Sequence, residues 1–209
     1  MKGRRKKGSG AIAKSYDRAY FDRWYRDPRK RVATPADVAR KARLVVGIAE
    51  ALLQRPVRSA LDIGCGEGAW RPALRALRPG LRYVGMDSSA YVVSRFGKTR
   101  GIGYGTFGTL ATAELDGPFD IIVCCDVLQY VGQPELSRGL EAVSGLLDGV
   151  AYLEAYTTAD EVVGDGHGWF HRAPALYRRA FNRAGLTAVG MHCWVGPSLR
   201  DATAALERA

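Results

Sequence analysis

The chain has 209 residues, 47% of them hydrophobic and 25% charged, which is enough for one α/β core. No apolar run approaches the ~18 residues of a membrane span, no apolar stretch follows the basic N-terminus as a secretory signal requires, and Cys65, Cys124, Cys125 and Cys193 lack metal-finger spacing. The net charge of +10 is concentrated at one end, where residues 1–43 hold 15 Lys or Arg against 4 Asp, while residues 44–209 hold 16 basic against 17 acidic residues.

Residues 1–13 are basic and glycine-rich with little to bury, and are expected to be a disordered tail ahead of a single domain over 14–209. Such a tail either holds a polyanion by counterion release or is simply solvated, and the neutral body adds no second basic stripe. Tyr16, Tyr20, Phe21, Trp24 and Tyr25 then recur at helical spacing among Asp and Arg, predicting a helix within 14–31 that docks by its aromatic side. Asp27-Pro28 breaks it. Thr34-Pro35-Ala36-Asp37 is a helix start, and apolar residues at 38, 42, 45, 46, 49, 52 and 53 give the helix over 36–54 a core-facing stripe.

A strand over 58–63 runs into Gly64-Cys65-Gly66-Glu67-Gly68, and Ala69 to Leu77 read as a helix. Glycines let the backbone approach a ligand, and free amides at the helix start face it. The segment Gly64 to Ala69 fits the dinucleotide pattern G-x-G-x-x-A, so a nicotinamide enzyme is one reading. Asp62 weighs against it, because a carboxylate just before the turn repels a diphosphate and welcomes a cationic, amino-bearing ligand. The next strand, 82–87, ends in Asp87, at the sheet edge where ligands of open α/β folds bind. An acid there can accept both hydroxyls of a ribose. Capping the following helix, within Asp87-Ser88-Ser89, is the alternative.

Ser89 to Phe96 read as a short helix, followed by glycine-rich residues 101–109. Pro118 to Cys125 form a strand buried on both faces, and Asp126 to Tyr130 are its exit loop. Cys124 and Cys125 point to opposite sheet faces and read as core thiols, not nucleophiles. A helix over 136–147, a strand over 149–157, a helix over 175–184 and a strand over 187–195 complete the pattern. Residues 198–209 are alanine-rich and prefer helix by local propensity. Between them lies a polar loop, 158–172. His167 and His171 there have metal-like spacing on a helix, but Gly164, Gly166 and Gly168 argue against a helix, so no metal is expected. Reduced, buried thiols suit the cytoplasm.

Leu61-Asp62-Ile63-Gly64-Cys65-Gly66-Glu67-Gly68, with Asp87 and the Phe119-to-Tyr130 segment, resembles the class I S-adenosylmethionine (SAM) dependent methyltransferases over roughly residues 40–195. The resemblance implies a Rossmann-like, seven-stranded, mostly parallel sheet with helices on both faces, an antiparallel C-terminal strand falling over residues 198–209 and an N-terminal helical lid. It implies SAM as cofactor and S-adenosylhomocysteine (SAH) as product. Asp62, Gly64, Cys65 and Gly66 would meet the methionine part, and Asp87 and Ser88 the ribose side. Cys125 and Asp126 would stand beside the sulfonium. The acid that family members often place at the third strand is replaced by Thr106-Phe107, so a hydroxyl, backbone groups or ring stacking would serve the adenine. Tyr130, His167 and His171 are candidate bases. The resemblance also implies an enzyme acting most simply on a small-molecule acceptor. RNA methylation through the basic tail, or a non-catalytic SAM-binding module, are the alternatives.

Overall fold

The computed structural model describes residues 15–161 and 165–204. The expected tail, residues 1–13, lies outside the described residues. Helix α1 (Arg18–Phe21) is capped by Asp17 and continues as one π-helical turn, Asp22–Arg26, so the segment expected as a helix within 14–31 is shorter and kinked. Helix α2 (Pro35–Leu53) starts at a capping box between Thr34 and Asp37 and ends at Gln54, whose φ is 53°.

The sheet is built from β1 (Ser59–Ile63), β2 (Arg82–Asp87), β3 (Ile102–Tyr104), β4 (Phe119–Cys125), β5 (Leu147–Glu154), β6 (Thr187–Gly190) and β7 (Cys193–Val195). Their order is β3-β2-β1-β4-β5-β7-β6. Strands β1 to β5 pair in parallel, and β7 runs antiparallel to both of its neighbours. The expected single strand over 187–195 is therefore a hairpin. It turns at Met191 and His192, with φ of 51° and 64°, both left-handed as a tight hairpin turn demands. The seventh strand lies inside that stretch, and Pro197–Ala202 form a 3₁₀ turn in place of the strand expected over 198–209. Residues 205–209 lie outside the described residues.

The helices α3 (Trp70–Leu77), α4 (Ala90–Arg100), α5 (Gln133–Leu146) and α6 (Pro174–Arg183) connect the strands. The alternation of β1 and β4 sorts the core into two layers. Leu61, Ile63, Ile122 and Cys124 pack with α5 and α6, while Ala60, Ile121 and Val123 pack with α2 and α3. Cys124 sits in the first layer and Cys125 against the second, as adjacent strand residues must. At the far end of the sheet Arg55 grips Asp120 through two hydrogen bonds, 3.0 and 2.7 Å, and reaches Asp148 at 3.0 Å. No helix among the described residues is long and apolar enough to cross a membrane.

Candidate functional site

The strand order reverses between β1 and β4, and ligands of open α/β sheets bind outside the carboxyl ends of the strands at such a point. Gly64, Gly66 and Gly68 turn the chain there with φ of 68°, 52° and 78°. Glycine alone takes this conformation at no steric cost. Side chains would also collide: a Cβ on Gly64 would stand 2.3 Å from Val127 Cγ2. The amides of Gly64 and Cys65 donate to the Met86 carbonyl at 2.7 and 3.0 Å, fastening the loop to β2.

Two acids lie under and beside the loop. Asp62 is 2% exposed and accepts a hydrogen bond from the Tyr83 hydroxyl at 2.6 Å. Burial pushes its carboxyl up to about 7, and the nearby Asp87 adds to this while Tyr83 opposes it. Asp87 accepts from the Gly66 amide and the Ser89 amide, both at 2.8 Å. Burial raises its proton affinity, and these two bonds work the other way. The helix cap itself is Ser89, whose hydroxyl accepts from the Val92 amide at 3.2 Å and donates to the Tyr16 carbonyl. Asp87 thus orders the turn without being the cap of the following helix, and it lines a cavity.

That cavity has two adjoining chambers of about 120 and 250 Å³. The larger is bounded by Asp87, Ser88, Gly105, Thr106, Phe107 and Val127, the smaller by Asp62, Gly64, Cys65, Trp70, Gln129 and Trp169. Tyr20, Tyr25, Gly64, Cys125, Asp126 and Tyr130 belong to both. The structure therefore brings Asp62, Gly64, Cys65, Asp87, Ser88, Thr106, Phe107, Cys125, Asp126 and Tyr130 together, with Gly66 bonded to Asp87. Phe107 is 2% exposed and its ring packs where a Cβ on Gly139 of α5 would stand. It is a wall of the core, and the open stacking face expected of it is absent. The Thr106 hydroxyl accepts from the Thr109 amide at 3.2 Å and so caps the following turn.

His167 and His171 are exposed and line neither chamber, so the structure does not support them as bases. Tyr130 is at the site, but its hydroxyl donates to the Asp165 carbonyl at 2.7 Å, which fixes a wall and leaves no proton-accepting arrangement evident. In their place stands a group that sequence spacing gave no sign of. Lys41 of α2 bonds Glu154 of β5 at 2.5 Å, and Cys125 Sγ is 3.1 Å from the same Glu154 oxygen. The Tyr152 hydroxyl donates to it as well, at 2.8 Å. Cys125, Asp126 and Glu154 are close enough to hold a metal ion, but the Lys41 ammonium already fills the cation's role. Burial pushes the Cys125 thiol up, with Asp126 and Glu154 adding to the effect, so it is no nucleophile.

The segment 18–26 roofs the cavity. Phe21 is 2% exposed, packed with Cys65, Val92 and Ile102. Arg26 pairs with Glu67 of the loop. The Tyr25 hydroxyl lies 3.0 Å from where a Cβ on Gly66 would stand.

No curated protein matches the chain in sequence. Residues 61–149 match a family model described as a methyltransferase domain. Among solved structures, DesVI from Streptomyces venezuelae is similar with a TM-score of 0.62 at 16% identity, covering 78% of this chain and 91% of that one. A S-adenosylmethionine-dependent methyltransferase from Clostridium acetobutylicum gives 0.59 at 15% identity, covering 82% and 87%. The plantazolicin methyltransferase BamL, solved with a triazolic desmethylPZN analog and SAH, gives 0.57 at 14% identity; the match covers 73% of this chain and 65% of BamL. These likenesses are of fold. The matched segment runs from β1 to β5 and carries the loop, both acids and the floor of both chambers, so family model and site geometry rest on the same residues. Residues 61–149 thus match a methyltransferase domain, carried on a Rossmann-like seven-stranded sheet with one antiparallel edge.

Proposed function

We propose that the chain transfers the methyl group of SAM to a small-molecule acceptor. The observation that carries this reading is the pair of joined chambers under one aromatic roof. The chamber beside Asp87 suits an adenosyl group, with Asp87 toward the ribose hydroxyls and Ser88, Thr106 and the Phe107 wall around the base. The loop Gly64–Gly66, with Asp62 beneath, suits the amino acid end. The sulfonium would then lie at the junction, near Cys125 and Asp126. Asp126 Oδ1, buried and without a hydrogen-bond partner among the described residues, lies at this junction. When bound, SAM supplies a methyl group already activated for displacement. The protein's part is to align the two reactants and exclude water.

The small second chamber, closed in by Trp24, Tyr130, Tyr156 and Trp169, favours a small acceptor. Among the fold relatives, BamL was solved with a small-molecule analogue in place. The four free cysteines fit a reducing, cytoplasmic setting.

Calorimetry with SAM, SAH and NADH tests the cofactor, and the expected result is binding of the first two only. Transfer of labelled methyl from SAM to a small-molecule extract, and not to RNA, tests the acceptor. The RNA reading draws on the basic residues 1–13. It would be favoured if removing them abolished RNA methylation and flattened its salt dependence.

A further inference from the structure

Among the described residues Arg172 is the one buried cation, 6% exposed. Its charge meets no carboxylate there. One guanidinium nitrogen donates to the Leu128 carbonyl at 3.2 Å and to the Tyr177 hydroxyl at 3.4 Å, and another to the Val131 carbonyl at 2.5 Å. The Phe170 and Tyr177 ring centroids lie 5.0 and 5.6 Å from the guanidinium carbon. Taking a cation out of water is costly, and neutral carbonyls and ring faces return less than a carboxylate does. An apolar side chain of similar volume often gives as much stability as a buried charge. The position therefore calls for a reason other than core stability.

What the guanidinium holds is a wall of the ligand cavity. Leu128–Tyr130 form the 3₁₀ turn just beyond β4. Gln129 and Tyr130 line the smaller chamber, and Tyr130 and Val131 the larger. The segment that carries Arg172 adds Asp165 and Trp169 to the smaller chamber. Arg172 itself lines neither.

The two stretches are bonded at several points. Between the two carbonyls that Arg172 takes, the Gln129 carbonyl accepts from the Phe170 amide at 2.7 Å. The Tyr130 hydroxyl donates to the Asp165 carbonyl, also at 2.7 Å. The carbonyls of Leu128, Gln129 and Val131 are thus all held by one segment. Behind the guanidinium, the Arg172 carbonyl accepts from the Thr158 amide at 3.0 Å, which fastens Arg172 to the exit of β5. A guanidinium is planar and presents its donors in a fixed fork, so it sets the spacing of two acceptors as well as binding them.

We infer that Arg172 is a positioning residue for methyl transfer, clamping the turn Leu128–Tyr130 to the segment 165–172 so that two walls from distant parts of the chain stand at the spacing the cofactor needs. This rests on the function proposed above. The coupling is reciprocal: the clamp raises the affinity of a ligand that fits the joined walls, and that ligand steadies the clamp.

The test compares the full parent chain with Arg172→Ala and Arg172→Lys, by calorimetry with SAH and by hydrogen exchange at the Phe170 amide. In the parent, SAH is expected to increase protection of that amide. Arg172→Ala is expected to bind SAH at least ~tenfold more weakly and to expose the amide to exchange. Guanidinium chloride at ~20 mM, far below denaturing concentrations, is expected to restore most of both by filling the space the side chain leaves. An equal concentration of sodium chloride is expected to restore neither. Arg172→Lys keeps a charge and a long stem without the fork; it is expected to fold, to bind SAH with an affinity between the other two, and to carry the test if Arg172→Ala does not fold. Phe181→Ala, in the core layer under α6 and outside both chambers, is the control for lost stability. It is expected to melt lower and to leave SAH affinity within ~twofold of the parent, because it shares no partner with the clamp.

Parental SAH affinity in both Arg172 variants overturns the positioning role. So does a loss that guanidinium does not restore and that Phe181→Ala reproduces. Either result leaves the proposed function intact. Failure of SAH to bind the parent chain overturns both.

Discussion

The Gly66 amide donates to Asp87 Oδ2 at 2.8 Å, across 21 residues of chain. The other oxygen of the same carboxylate holds the Ser89 amide at 2.8 Å, at the start of α4. One side chain therefore ties the tip of the glycine loop, the end of β2 and the next helix into one rigid edge. A ligand hydroxyl that bonds Asp87 meets an acceptor already held in place, with little further entropy to lose.

Asp87→Ala should accordingly damage two things. It removes hydrogen bonds to a charged acceptor, each worth about 1.5–3 kcal/mol, so SAH affinity should fall by well over ~tenfold. It also frees the loop, so the ligand-free protein should melt lower. Asp87→Asn retains one acceptor oxygen and should fall between. Unchanged SAH affinity in Asp87→Ala, measured by calorimetry, would place the ribose elsewhere.

The roof is anchored by one residue and shaped by others. Phe21 is buried among Tyr20, Tyr25 and Tyr91, with ring centroids 4.9 to 5.8 Å away. Truncating a core Phe costs about 3–5 kcal/mol where the core cannot let go. The segment 18–26 is expected to open independently of the sheet, which would limit the loss in global stability to the cost of that opening. Phe21→Ala should therefore lower the melting temperature little, abolish hydrogen-exchange protection of residues 18–26, and weaken SAH binding. Replacing Tyr20 and Trp24 together by Ala should weaken ligand binding more than it lowers the melting temperature. A large loss of apo stability with SAH affinity intact would make the segment ordinary core.

The parts of this site that were legible in the sequence are those set by local rules. Gly64 to Gly68 and Asp87 stand at an interval fixed by one strand–helix–strand unit, and the Thr34–Asp37 cap is a four-residue pattern. The continuous apolar run of β4 announced a central strand. What stayed hidden depends on tertiary contact. Tyr83 meets Asp62 across neighbouring strands, and Lys41 meets Glu154 across 113 residues, for which no spacing rule exists. The β6–β7 hairpin is not legible in the sequence because Met191-His192 carries none of the Asn-Gly chemistry that usually marks such a turn. His167 and His171 have the chemistry of a base, but the loop turns them to solvent. Trp169, two residues from either, turns inward.

Asp62 predicts a pH dependence of the ligand-free protein. Its carboxyl is raised from an ordinary 3.8 to about 7 by burial. A group raised on folding contributes stability that is present below its unfolded pKa and lost as pH climbs through the folded value. Stability should therefore decline between about pH 4 and 7, by on the order of 4 kcal/mol if no other group compensates. Asp62→Asn keeps an acceptor for Tyr83 and removes the buried charge. It should melt higher than the parent at pH 8 and equal to it near pH 4, and bind SAM more weakly. Equal melting of the two proteins at pH 8 would mean that Asp62 is not desolvated in solution.

Lys41 gives the remaining prediction. Burial alone would raise the Glu154 carboxyl, but the Lys41 ammonium, together with the Cys125 and Tyr152 hydrogen bonds, holds it below the usual range. Removing one partner of a fully buried pair costs about 3–5 kcal/mol. Lys41 and Glu154 are 27% and 22% exposed at their side chains, so Lys41→Met should cost less, roughly 2 kcal/mol. The loss should appear at pH 7, where Glu154 is charged, and shrink as pH falls and Glu154 takes a proton. The same substitution removes a cation that opposes the rise at Asp126. Asp126 should then hold its proton to higher pH. Glu154→Gln removes an anion from the same cluster and should lower the pH at which Asp126 titrates. The double variant should return near the parent, because the two charges act on Asp126 with opposite sign. An NMR titration of the Asp126 carboxyl that is identical in all these proteins would show that the Lys41–Glu154 pair does not reach it.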